Sequence, residues 1–335
     1  MEESIKINQQ YRLVVENTSD IVSVHAFNLK STYLYASPSI KIIKGYEPEE
    51  LIGKSPFEFI HPEDKKKLRL LLKKYLGNFA RKLFTGEEPY YVTERIEYRF
   101  KNKEGNWRYL QSTGNLVGNK LIFISRDITE LRQAEIELKK SYKKLQKTMD
   151  ASIDTVSKII EAKDSYTSGH QHKVCQLAVR IAREMKLPQD KIEGIRVASL
   201  IHDIGKIGLS TEILSKPTKL NDIEFSLIKA HSQIGYDILK SVEFPWPVAE
   251  IVLQHHERVN GSGYPRGLKG DEILIEAKVI AVADVVEAMS SHRPYRPALG
   301  IDAALEEISK NKGILYDPEV VDACLKLFKE KKFKF

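Results

Sequence analysis

The stretch KIEGIRVASLIHDIGKIG, residues 191–208, decides how the C-terminal half of this 335-residue chain folds. Its apolar residues recur at helical spacing, and His202 falls on the same stripe as Ile195 and Ala198. A histidine on that stripe points into a core, and Asp203 follows it directly. Four other segments repeat the arrangement. His170 begins a helix whose buried stripe runs through Val174, Leu177, Ile181 and Met185. His231 follows Phe225 and Ile228 in a helix opened by Asn221, with Glu224 completing a capping box. His255, with His256 beside it, follows Val248, Ile251 and Val252 on a helix begun after Pro247. Asp284 follows Ala277 and Ile280 inside the otherwise apolar run EAKVIAVADVVEAM. These patterns predict an all-α half.

Any one of these histidines is ordinarily a hydrogen-bonded core residue. Five helices that each aim an imidazole or carboxylate inward are a different matter. Each such group left unpaired costs about 1–3 kcal/mol, and a buried carboxylate must be paired or bound to a cation. A divalent metal cluster satisfies all of them at once. His170, His202, Asp203, His231, His255, His256 and Asp284 make seven candidate ligands, more than the three or four protein ligands one catalytic ion takes. Two ions about 3.5–4 Å apart, bridged by a carboxylate and a water, would use them. Imidazole and carboxylate suit iron, manganese, zinc or nickel, and no cysteine lies nearby to suggest a structural zinc knuckle.

Residues 1–127 are patterned differently. RIEYRF (95–100) alternates, with Ile96, Tyr98 and Phe100 on one face, and after the turn KNKEGN the alternation returns in WRYLQST, a β-hairpin signal. KLIFIS (120–125) reads as another strand, and PEDKKKLRLLLKKYL as a helix with Pro62 at its start. From Thr129 to Ile160 a single long helix is expected, with Asp127 and Glu130 as a cap. Its stripe of Leu131, Leu138, Tyr142, Leu145, Met149, Ile153, Val156 and Ile160 is narrow enough for a parallel two-stranded coiled coil, hence a homodimer. The expected organisation is therefore a mixed α and β domain over 1–128, a helical linker over 129–160 and a helical domain over 161–335.

Composition narrows the function. Apolar residues make up 42% and charged residues 30%, as in folded soluble proteins. No apolar run is long enough to span a membrane, and the first residues lack a signal peptide's apolar segment. The two cysteines, Cys175 and Cys324, are expected to be free buried thiols in a reducing cytoplasm. The net charge of +7 comes largely from lysine runs such as EDKKKLRLLLKK and KEKKFKF. Without a basic stripe interleaved with aromatics, polymeric nucleic acid is not the expected partner, and an anionic small molecule is.

Two resemblances carry these readings further. VVENTSDIVSVHAF, YASPSIKIIKGYEPEELIGKSPFEFIHPED, YRFKNKEGNWRYL and ISRDITELRQAE together resemble a PAS sensor domain over nearly the whole N-terminal half. That implies a five-stranded antiparallel sheet flanked by short helices, with a ligand that the sequence does not identify. His25 and His61 are expected to be structural or surface residues rather than haem ligands. From about Asp150 to Phe328, LIHDIGKIGLS, HHERVNGSGYPRGL and VIAVADVVEAMSSHRPYRPAL closely resemble the HD-GYP family. Membership implies an all-helical domain that binds two or three metal ions and hydrolyses cyclic di-GMP.

Carried over by position, the resemblance has His170, His202, Asp203 and Asp284 hold one ion. Asp203 bridges, and His231, His255 and His256 complete the second site. It makes Asp203 and Lys206 catalytic. Lys206, Gly263, Tyr264, Pro265, Arg293 and Arg296 contact substrate, the guanidinium forks gripping phosphate. The GYP loop is also a place for partner proteins. The chain departs from the family at three points. Tyr166 stands where the three-metal branch has a glutamate, so two ions are expected. Val259 and Asn260 replace an aromatic and an aspartate, which weakens the loop's anchoring. His172 and His292 match no ligand position and are expected at the surface. The implied reaction gives linear pGpG, or GMP after a second cut. Its rivals are a cyclic di-GMP receptor without turnover, an HD hydrolase of another nucleotide, and a chain whose PAS half is the main functional part.

Overall fold

The alternation in residues 95–100 becomes a hairpin: β3 (Arg95–Lys101) pairs antiparallel with β4 (Trp107–Val117), from Arg95 opposite Thr113 to Lys101 opposite Trp107. Ile96 and Phe100 are buried from one face of that pair. The turn closes at Gly105, whose φ of 90° favours a residue without Cβ, while the Asn102 side chain accepts from the Asn106 amide. With β1 (Ile21–Ala26), β2 (Tyr33–Ala36) and β5 (Lys120–Asp127), the hairpin forms a five-stranded antiparallel sheet in the order β2-β1-β5-β4-β3. This is the expected sheet. Helices α1 (Ser39–Lys44) and α2 (Pro62–Thr85) accompany it, and small cores form around Ile21, Ile40 and Leu51, and around Ile60, Phe100 and Leu110.

The computed structural model describes residues 13–85, 95–164, 169–216, 218, 220–291 and 298–335. The chain divides into two units, Met1–Lys143 and Lys144–Phe335. Helix α3 (Thr129–Lys163) runs through that boundary, and its first amide, that of Thr129, donates to the Asp127 carboxylate at 2.8 Å. Its apolar stripe has two fates. Met149, Ile153, Val156 and Ile160 pack into the core of the second unit, with Ile160 fully buried. Leu131, Leu138, Tyr142 and Leu145 stay exposed. Reading the whole stripe as a coiled-coil seam is corrected here: its second half is covered by its own unit, because an amphipathic helix buries its stripe against whichever apolar surface adjoins it.

The second unit is helical, as expected. Helices α4 (His170–Glu184), α5 (Gln189–Ile201) and α9 (Ile275–Ser290) pack on one another. Their shared core includes Val174, Leu177, Ile181, Ile195, Val197 and Ile280. Helix α9 is buried along most of its length, which explains why it is apolar on nearly every face. One boundary differs from expectation. Asn221 and Glu224 do form the capping box, but of α6 (Asp222–Lys229), which ends at Ala230. His231 then opens a separate helix, α7 (His231–Leu239). Phe225 is accordingly half exposed, and no residue of α6 is buried. Helix α8 (Val248–Gln254) packs against both α5 and α7. Cys175 and Cys324 are free and buried, and burial pushes both thiols up to about 12. Among the described residues, no helix is long and apolar enough to cross a membrane.

Candidate metal centre

Helix α5 ends at Ile201, so His202 sits at its C-cap and Asp203 at the head of a short 3₁₀ turn, Ile204–Gly208. That turn packs directly on α7. A Cβ on Gly205 would lie 1.8 Å from the carbonyl oxygen of His231, and one on Gly235 would meet Val252 at 2.9 Å. Two glycines therefore allow a close backbone crossing, and the crossing places His231 opposite Asp203: Nε2 lies 3.6 Å from Oδ1. His255 caps α8, and Asp284 lies midway along α9.

The imidazoles share one construction. The Nδ1 atoms of His202, His231 and His255 each donate to the carbonyl oxygen three residues earlier, on Ser199, Ile228 and Val252, at 2.8, 2.6 and 2.5 Å. A carbonyl only accepts, so Nδ1 carries the proton and Nε2 presents a lone pair. His170 reaches the same state through a carboxylate, with Nδ1 2.5 Å from Glu287 Oε2. The Nε2 atoms of His231 and His255 then face one another at 3.2 Å. Two lone pairs at that distance repel unless an electrophile sits beside them.

Three overlapping groups of ligand atoms result, the atoms within each lying within 4.8 Å of one another. They are His170, His202 and Asp284; His202, Asp203 and His255; and His231, His255 and His256. All seven candidate ligands are included, with Asp203 in the middle group. This donor set, with preset lone pairs and two carboxylates, fits divalent transition-metal ions. Among the described residues, no cysteine enters such a group.

Electrostatics agree with that assignment. Burial alone would raise the Asp203 carboxyl, yet Lys206 and the surrounding histidines hold it well below the usual carboxylate range. Lys206 Nζ lies 2.8 Å from Asp203 Oδ2 and 3.2 Å from Asp164 Oδ2. Asp284 is likewise held low against burial by His170, His202 and His256. Burial pulls His231 down, His256 well down and His255 to about 3, the last two helped by neighbouring histidines. These rings are neutral at pH 7, the form that binds metal.

The supporting residues were not legible from the ligand pattern. Glu287, buried one turn beyond Asp284, also accepts from the Ser291 hydroxyl at 2.6 Å. Gln171 donates to Asp203 Oδ2 at 3.1 Å. A carboxylate on the apolar face of α9, three residues after a candidate ligand, was the available signal. In the loop, Glu257 is buried and accepts from the Arg266 and Leu268 amides at 2.7 and 3.1 Å. It thus supplies an anchor, and Asn260 is left to turn the chain by accepting from Ser262. Gly263 lies where a Cβ would meet Glu257 and Arg258 backbone at 2.4 Å. The Tyr264 ring lies 4.7 Å from that of His256, and Pro265 is exposed.

Other expected residues have other places. Arg293, Arg296, His292 and Tyr166 lie outside the described residues. His172 is half exposed and bonded to Asp154 at 2.9 Å. His61 accepts from the Glu63 amide. His25 is buried, bonded through Nδ1 to the Ser31 carbonyl and through Nε2 to Ser23.

Residues 154–320 match the family model of the HD domain, and residues 33–124 that of the PAS fold. A cyclic di-GMP phosphodiesterase of Thermotoga maritima is 44% identical over 180 residues, covering 53% of this chain and 49% of that protein. The cyclic di-GMP phosphodiesterase response regulator RpfG of Xanthomonas campestris is 36% identical over 213 residues, covering 60% and 56%. A 3'3'-cGAMP-specific phosphodiesterase of Vibrio cholerae is 36% identical over 213 residues, covering 63% and 45%. The chain spans about half the length of these curated relatives.

Proposed function

Since the chain joins a PAS fold to an HD domain, we propose that it is a signalling phosphodiesterase. Its substrate is cyclic di-GMP, cut to linear pGpG and, after a second cut, to GMP, and its helical half is governed by the PAS unit. The facing Nε2 atoms of His231 and His255, 3.2 Å apart with both Nδ1 protons engaged elsewhere, carry this reading. His170, His202, Asp203 and Asp284 would hold one divalent ion, and His231, His255 and His256 with Asp203 the other. Bound there, the ions supply a water of lowered pKa and charge for the phosphoryl oxygens.

The remaining roles belong to the chain's own side chains. Asp203, ionised and flanked by imidazoles, is placed to span the two halves of the ligand set. Lys206 brings an ammonium to the same edge and is oriented by Asp164. An ammonium there favours the charge that develops on phosphate in the transition state. Tyr264, its ring tilted against that of His256, and the exposed Pro265 form the rim at which a guanine or a partner protein would meet the loop. Arg293 and Arg296 belong to the same proposal as phosphate-gripping residues. The exposed Leu131, Leu138, Tyr142 and Leu145 are the proposed seam of a parallel homodimer.

The test is incubation of the metal-reconstituted chain with cyclic di-GMP and, separately, 3'3'-cGAMP, with products separated chromatographically and metal content measured. Two ions per chain and release of pGpG are expected, with Asp203→Ala abolishing both turnover and full metal content. Binding of cyclic di-GMP without cleavage by the fully metallated chain would assign a receptor instead. Preferential cleavage of 3'3'-cGAMP would reassign the substrate.

A further inference from the structure

Between the sheet of the first unit and the segments packed on it lies a cavity of about 70 Å³, room for roughly five water-sized groups. Its lining is two-sided. Leu68, Leu71, Leu72 and Phe57 contribute hydrocarbon, while Tyr33, Tyr98, Ser112, Ser125 and His25 contribute polar atoms. Most of those polar atoms are satisfied. Tyr98, Ser112 and Ser125 form a hydroxyl chain at 2.9 and 2.6 Å, and both His25 nitrogens are engaged.

Lys44 is the exception. It lines the cavity, is 2% exposed, and its ammonium has one hydrogen bond, to the Tyr33 hydroxyl at 3.3 Å, plus the face of Phe100 at 3.8 Å. Among the described residues no carboxylate pairs with it. A buried charge without a counter-charge is unfavourable, and burial alone pushes this ammonium down to about 7. His25 is held neutral, lowered to about 4 chiefly by burial. Among the described residues, the cavity therefore presents a single cation with donors to spare, set against an apolar wall.

We propose that this cavity binds a short-chain organic monocarboxylate, its anionic end held by Lys44 and the Tyr33 hydroxyl and its hydrocarbon end against Leu68, Leu71 and Leu72. One cation matches one negative charge, which disfavours phosphate and dicarboxylates. The modest room suits a short chain. Gly114 keeps the room open: a Cβ there would meet the Phe123 ring at 2.5 Å and displace it.

The experiment is calorimetric titration of the full chain, treated with chelator, with propionate, butyrate and the neutral isosteres propionamide and butyramide. Wild type should bind butyrate at least tenfold more tightly than butyramide. Lys44→Met should lose that preference, whereas Asp203→Ala should keep it, which separates the cavity from the candidate metal centre. Lys44→Gln, which retains a polar head, covers the case in which the methionine variant fails to fold and should also lose the preference. The proposal is overturned if no carboxylate binds, if butyramide binds as well as butyrate, or if the Lys44 variants bind like wild type.

Discussion

An imidazole has two nitrogens, and the partner of the first decides what the second can do. In His202, His231 and His255 that partner is the carbonyl three residues earlier in the chain, whereas in His170 it is the carboxylate of Glu287 on a distant helix. Partners of this kind typically change metal affinity by about 10–100-fold when mutated. Glu287→Gln, which leaves every proposed ligand in place, is therefore expected to lower affinity for the ion near His170 by that order. Elemental analysis across a chelator series would show it, and unchanged metal retention would count against it. Lys44 supports a prediction in pH. Its folded ammonium titrates near 7 and its unfolded one near 10.5, so between those values the unfolded chain binds more protons. Stability of the first unit should rise with pH across that window, by no more than about 1.4 kcal/mol per pH unit, and fall as pH returns to 7. Urea denaturation at pH 7, 8 and 9 should show a slope that Lys44→Met removes. The ligand candidates could be read from the sequence because each shares a stripe with apolar residues. Glu287 was signalled only by its place three residues after Asp284, and Lys44 not at all, since its enclosure depends on distant elements that pack over it.

Elements were legible where one pattern had one explanation. The hairpin of β3 and β4 follows from period-two alternation around a glycine turn. Helix α3 shows the limit: one stripe reads the same whether it meets its own unit or a second copy. Its buried half predicts that Ile160→Ala costs about 2–5 kcal/mol of second-unit stability. For the exposed half, Leu138→Lys combined with Leu145→Lys should shift the mass measured by light scattering from dimer to monomer. A monomeric wild type would remove the proposed seam. The 3₁₀ turn after α5 is equally specific in its demands. Gly205→Ala forces a methyl group into the His231 carbonyl, an overpacking cost of at least about 1–3 kcal/mol, and should reduce metal content as His231 is pushed from Asp203.

At the scale of the whole molecule, the two units each contain one tryptophan, Trp107 in β4 and Trp246 just before α8. Ions that bind only the folded second unit stabilise it by mass action, about 2.7 kcal/mol at a hundredfold excess over the dissociation constant. Chelation should therefore lower the unfolding midpoint reported by Trp246 and leave that reported by Trp107 unchanged. A matching shift in both would show that the units unfold together. The sequence by itself determined the type of each half, mixed α and β against helical, along with the seven ligand-type residues, because periodicity and residue chemistry are local properties; the five-stranded antiparallel sheet was implied by the resemblance to a PAS domain. Only the tertiary structure decided that four imidazoles turn Nε2 toward shared space, that a glycine crossing sets His231 beside Asp203, and that Lys44 is enclosed with no carboxylate among the described residues beside it. Those are relations between residues up to 117 positions apart, and a distance across a core is set by packing, which no single segment encodes.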